Sequence, residues 1–91
     1  MAFPVIVRRE AGFQLDKIQR GYEPDDWKPM SSVGAGVREI RVRVAPGAFR
    51  VIYVVVSGEA VYVLHAFQKK SQKTAQHDVR LARDRFKAVV R

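Results

Sequence analysis

Arg41 and Arg43 stand two residues apart, Arg50 interrupts an apolar run, and Lys69, Lys70 and Lys73 follow within one short polar stretch. Guanidinium forks match phosphate oxygens two at a time, and lysines supply mobile point charges. Gathered around one concavity, such groups bind a nucleic-acid backbone. They also suit strand cleavage, because negative charge grows on the non-bridging oxygens of a pentavalent phosphate. A lysine crowded by other cations gives up its proton more readily and can then act as a base.

Other chemistries lack their residues. There is no cysteine and there are only two histidines, which leaves no disulfide scaffold, no cysteine nucleophile and too few ligands for a zinc site. No Gly-x-Ser-x-Gly elbow and no His-Glu-x-x-His pair occurs. Gly34-Ala35-Gly36 lacks the lysine and hydroxyl spacing of a phosphate loop. No metal and no cofactor is therefore expected. The overall charge points the same way as the constellation: 17 basic against 9 acidic residues leave +8 on 91 residues. Residues 1–36 are balanced at five of each sign, whereas residues 37–91 hold twelve basic and four acidic, so a polyanionic partner should dock on the second part.

The elements that would position these residues can be read from periodicity. Val7, Ala11, Leu15 and Ile18 recur at helical spacing, Pro4 suits a helix start and Gly21 a stop, which predicts a helix over about 4–20. Residues 21–36, with two prolines and three glycines, form a connection that Trp27 is expected to anchor to the core. From Val37 the period becomes two. Ile40, Val42 and Val44 face one way, Glu39, Arg41 and Arg43 the other. Phe49–Val56 and Ala60–Phe67 are apolar on both faces except at Arg50 and His65, and turns at Pro46-Gly47 and Ser57-Gly58 join the strands. Thr74 is a candidate helix cap, and Val79, Ala82, Phe86 and Val89 form one apolar stripe opposite Arg80, Arg83, Lys87 and Arg91. The expected fold class is α+β: a three-strand antiparallel meander over residues 37–67, its second strand in the middle, with the helices packed on one face. No secretory leader and no membrane span is expected, since the longest apolar run ends at Val56; a soluble, cytoplasmic setting fits.

Each candidate has a plainer reading. Lys69-Lys70 can be a solvated loop, and Arg41 and Arg43 a solvated face with Glu39 as partner and little energy at stake. His65 reads as a hydrogen-bonded core residue, His77 as exposed, and Tyr53, Tyr62 and Phe67 as packing residues. Arg50 resists such a reading, since a charge alternating with Ile52, Val54 and Val56 needs a reason.

Several stretches resemble a known family. These are Glu39-Ile40-Arg41, Phe49-Arg50-Val51-Ile52-Tyr53, the run Val63-Leu64-His65-Ala66-Phe67-Gln68-Lys69-Lys70-Ser71-Gln72-Lys73-Thr74, then Ala82 and Arg83, with Gly12 to Gly21 and Asp26-Trp27-Lys28-Pro29-Met30 upstream. Together they resemble the phage-derived Gp49-like (HigB-like) branch of the RelE/ParE toxin superfamily, over nearly the whole chain. The resemblance implies one toxin domain over residues 1–91 with a RelE-like antiparallel sheet. It implies metal-independent cleavage of mRNA on the ribosome, by attack of a ribose 2′-hydroxyl on the adjacent phosphate, and a helix-turn-helix antitoxin as partner. Arg50 then matches the family arginine that stabilises the phosphate, and Lys69 and Lys70 the lysine pair that binds RNA or moves protons. Arg41 matches the arginine of the Glu-x-Arg segment, either structural or RNA-binding; Arg43 and Lys73 join it as RNA-binding candidates. Relatives begin with a further strand before a Phe-Pro like Phe3-Pro4, so the chain is expected to be shortened at its start, with an unpaired sheet edge. It also lacks the terminal tyrosine or histidine some relatives use. The alternatives are a ParE-like gyrase inhibitor without enzymatic activity and a basic nucleic-acid or antitoxin-binding module without catalysis.

Overall fold

The middle strand decides the architecture. In this computed structural model, which describes residues 3–44, 47–58, 60–70 and 74–90, six consecutive residues Phe49–Val54 are buried. Side chains alternate along a strand, so both faces of the sheet must be covered there. The elements run α1 (Val5–Gln19), β1 (Trp27–Pro29), β2 (Arg38–Val44), β3 (Gly47–Val56), β4 (Ala60–Lys69) and α2 (Gln76–Val89). The four strands form one antiparallel sheet in the order β1-β2-β3-β4. The α+β class and the meander of the last three strands follow the sequence reading. The short β1 is an addition that Pro29 and the glycines around it concealed.

The helices do not share a face. Val7, Ala11, Leu15 and Ile18 of α1 pack with Phe49, Val51 and Tyr53, the odd-numbered side of β3. Val79, Ala82, Phe86 and Val89 of α2 pack with Ile52 and Val54, the even-numbered side. A strand apolar on both sides cannot leave one of them in water, and one helix per face is the simplest cover. Among the described residues, no helix is long and apolar enough to cross a membrane.

Local signals mostly act as read. α1 ends with Gly21 at φ +87°, its N–H donating to Ile18 while Tyr22 N–H reaches back to Lys17. This double bond is the Schellman stop that only a residue tolerant of positive φ supports cheaply. The connection after it is tied to α1 by Gln14, which is 3% exposed and exchanges two 2.8 Å hydrogen bonds with Asp25. Lys17 pairs with the same carboxylate, and these two partners hold Asp25 below its ordinary pKa. Trp27 enters neither core cluster; it is half-buried, with the Arg38 guanidinium 4.0 Å from its ring centroid. Core contact passes instead to Met30, Val33 and Val37. Thr74 is not the cap of α2: Ala75 holds that position, and the Thr74 hydroxyl points elsewhere. Of the turn expected at Pro46-Gly47, Pro46 lies outside the described residues, and Gly47 already pairs with Val44.

Gly34 sits where α2 closes on the β1–β2 connection. A Cβ there would meet the Phe86 ring at 2.2–2.6 Å, and Arg83 clamps the same region through two hydrogen bonds to the Ser32 carbonyl, at 2.7 and 3.2 Å. Gly34→Ala should lower stability by about 1–3 kcal/mol, the usual range for overpacking. Chemical denaturation monitored by helix content checks this, and a midpoint equal to the parent's would refute it.

Candidate functional site

The apolar cover of the even-numbered face stops at Ile52, and the next side chain on that face is Arg50. It is 5% exposed. Its Nη1 donates to the Phe49 carbonyl at 3.1 Å and its Nε lies 3.4 Å from Oε1 of Glu39. Register places Arg41 directly across from Arg50, and Arg43 across from Ala48. All four therefore share a face with Glu39.

Lys69 joins them through an irregularity in β4. Ile52 pairs with His65 but Tyr53 with Val63, so Leu64 is an extra residue in the ladder. Such a bulge reverses the parity of everything beyond it. His65, Phe67 and Lys69 thereby turn to the face that carries Arg50, with Phe67 across from Arg50 and Lys69 across from Ala48. Burial lowers the Lys69 pKa, and Arg50, Lys28 and Arg41 push it in the same direction against the opposing effect of Glu39. For Arg50, burial likewise weakens the hold on its proton, countered by Glu39.

Glu39 is the residue that sequence reasoning undervalued. It was expected on a solvated face and is instead fully buried. Three partners from three segments converge on its carboxylate: the Thr74 hydroxyl donates to Oε2 at 2.8 Å, and Arg50 Nε and Lys28 Nζ lie at ion-pair distance from Oε1, 3.4 and 3.7 Å. The signal was available in the neighbouring strand, since a two-faced β3 requires cover over Glu39 as well. Asp26 was missed for a different reason, because its loop carries no periodicity. It pairs with the half-buried Arg41 at 3.4 Å and the exposed Arg43 at 3.9 Å.

The remaining candidates separate. Lys70 lies exposed just past the end of β4. Lys73 lies outside the described residues. His65 stacks on Phe67 with centroids 5.2 Å apart. Its Nδ1 faces the Arg85 guanidinium at 3.3 Å and Nε2 faces Asp78 at 2.7 Å. A guanidinium only donates, so Nδ1 accepts and Nε2–H donates to Asp78. This histidine thus links β4 to α2, in agreement with a hydrogen-bonded structural role. Tyr53 and Phe67 are core residues, whereas Tyr62 is exposed. Among the described residues, no group of three His, Cys, Asp or Glu side chains could hold a metal. A cleft of about 420 Å³ opens beside the site, between α1 and the free end of β2, with Arg9, Arg41 and Arg43 on its walls.

The geometry gathers cations on one face, one of them a lysine with a weakened hold on its proton. The family model described as "Phage derived protein Gp49-like (DUF891)" matches residues 1–87. The chain belongs to the Gp49-like family. This is the RelE/HigB-like toxin family suggested by the Glu39-Ile40-Arg41 and Leu64–Thr74 stretches. Membership is consistent with the toxin half of a toxin–antitoxin module. No curated protein and no solved structure matches the chain.

The Lys69 environment has a measurable consequence. Between the lowered folded-state pKa and the ordinary value of 10.5, the unfolded chain binds more protons than the native one. Stability attributable to Lys69 therefore rises with pH across that window, and the penalty of its charge is fully present below it. Lys69→Gln should leave the neutral-pH denaturation midpoint unchanged or raised and abolish that alkaline rise. A lowered midpoint at neutral pH, measured beside the parent from pH 7 to 10.5, would contradict this reading.

Proposed function

We propose that this Gp49-like protein is the toxin of a type II toxin–antitoxin module, acting in the cytoplasm as a metal-independent endoribonuclease on ribosome-bound mRNA. What chiefly supports the reading is the meeting of Arg50, Lys69, Arg41 and Arg43 on one sheet face. In this mechanism the ribose 2′-oxygen attacks the adjacent phosphorus and the P–O5′ bond breaks. A 2′,3′-cyclic phosphate and a 5′-hydroxyl result. Lys69, with its lowered pKa, takes the 2′-hydroxyl proton. Arg50 stabilises the charge that develops on the non-bridging oxygens. Arg41, Arg43 and the exposed Lys70 hold the flanking backbone, as would Lys73. O5′ leaves with a proton drawn from solvent or a second cation. A helix-turn-helix antitoxin would neutralise the site.

One observation favours a second reading. Arg41 and Arg43 are already paired with Asp26, and Arg50 with Glu39. Cations satisfied in this way suit a binding module that blocks its target without chemistry, on RNA or on gyrase.

Arg50→Ala and Lys69→Ala should each reduce cleavage of ribosome-bound message by about 10²–10³-fold, the range for removing one charge-stabilising donor. The double variant should no longer arrest growth. Primer extension on mRNA after induction reads the cleavage directly. Intact message with full growth arrest would reject the endoribonuclease. A supercoiling assay would then separate gyrase inhibition from salt-sensitive RNA binding.

A further inference from the structure

A fully buried carboxylate is costly unless its charge is paired and hydrogen-bonded. Glu39 pairs its charge with partners that are themselves parts of the site; one of its oxygens accepts a hydrogen bond from Thr74 and the other has ion-pair contacts alone. Arg50 comes from β3, Lys28 from β1, and Thr74 from the residue pair that leads into α2. Asp26 is the natural contrast, since it also faces two arginines but is itself 42% exposed in its side chain, against none for Glu39. Exposed pairs of the Asp26 type contribute little and rearrange easily. Removal of one partner from a buried pair leaves the other charge stranded.

The contacts of Arg50 explain what this carboxylate could do. A guanidinium is planar, so two fixed atoms set the direction of the whole fork. Nη1 is fixed by its hydrogen bond to the Phe49 carbonyl, and Nε lies against Oε1 of Glu39 as an ion pair at 3.4 Å without hydrogen-bond geometry. The Nη2 edge is then the one a phosphate oxygen would meet. The same carboxylate accepts from Thr74, 35 residues along the chain, and so ties the lead-in of α2 to β2.

We propose that Glu39 is the positioning residue of this site: its buried carboxylate aims the Arg50 fork at the phosphate and ties the lead-in of α2 to the same face through Thr74. The proposal rests on the phosphodiester reading above for its catalytic consequence, and on geometry alone for its structural one. Glu39 touches no substrate in this scheme. It lowers the cost of gathering Lys28, Arg50 and Lys69 in one place and fixes the one that must point correctly.

The distinguishing readouts are orientation and a split between rate and affinity. In the parent protein, the side-chain Nε–H of Arg50, followed by ¹⁵N NMR and assigned with Arg50→Lys, should exchange with water at least tenfold more slowly than that of Arg20, whose pair with Asp16 is exposed. Glu39→Gln keeps the shape and removes the charge. It should reduce single-turnover cleavage by at least 30-fold with RNA affinity within about threefold, whereas Asp26→Asn should change the rate by less than threefold. Thr74→Val, which leaves the carboxylate in place, should fall between them. A Glu39→Gln protein that cleaves at the parent rate overturns the proposal. So does an Arg50 Nε–H that exchanges as fast as that of Arg20, a result that needs no variant to fold. If the parent does not cleave RNA at all, the endoribonuclease reading fails, while the exchange measurement, repeated in Glu39→Gln and expected to speed up at least tenfold there, still decides whether Glu39 orients Arg50.

Discussion

Water must be kept from both sides of β3, and most of the structure answers to that demand. A strand with six buried residues in succession has no solvent face to give away. Each helix therefore takes one side, and the connection after α1 must travel far enough to serve the sheet edge on its way. The hydrophobic term is non-directional and scales with area. It accounts for cover on both faces but not for what sits at position 50.

Arg50 lies inside this dry strand, and a lone guanidinium there would be strongly disfavoured. The adjacent strand supplies the compensating charge at Glu39, and the two form the boundary between core and site. On the core side of that boundary the contacts are apolar and close. On the other side lie lysines and arginines whose charges are shared with Asp26 and Glu39. A polyanion approaching this face would meet cations already placed, and would compete with carboxylates rather than with bulk water. Salt should weaken such an encounter through the exposed arginines far more than through the buried pair.

Much of this was legible in the residues. The stripe Val7, Ala11, Leu15, Ile18 located α1, and Val79, Ala82, Phe86, Val89 located α2, because a helix must turn one side inward. The two-sided apolarity of Phe49–Val56 placed β3 in the middle. The same observation already implied a helix on each face, so the expectation of a shared face neglected a constraint that was in view. Arg50 was conspicuous for its chemistry in the wrong surroundings. Glu39, Thr74 and Lys28 were not. Their roles depend on which side chains meet across 11 to 35 residues of chain, and no local pattern records such meetings. Thr74 looked like a cap because a hydroxyl before a helix usually is one; here the helix starts one residue later, with Ala75 at the cap position, and the hydroxyl donates to Glu39. Lys70 looked equivalent to Lys69 because adjacency in sequence hides the end of a strand.

The extra residue at Leu64 has a consequence for how the site is encoded. Before it, the even positions of β4 face α2; after it, the odd positions do. The strand is thus written in two phases, and the lysine is meaningful only in the second. With every residue intact but the ladder unbroken past Val63, Lys69 would fall on the α1 face and Gln68 would take its place across from Ala48. Part of the chemistry of this surface is therefore stored in strand register, in the one residue left out of the ladder, and not in the identity of any side chain.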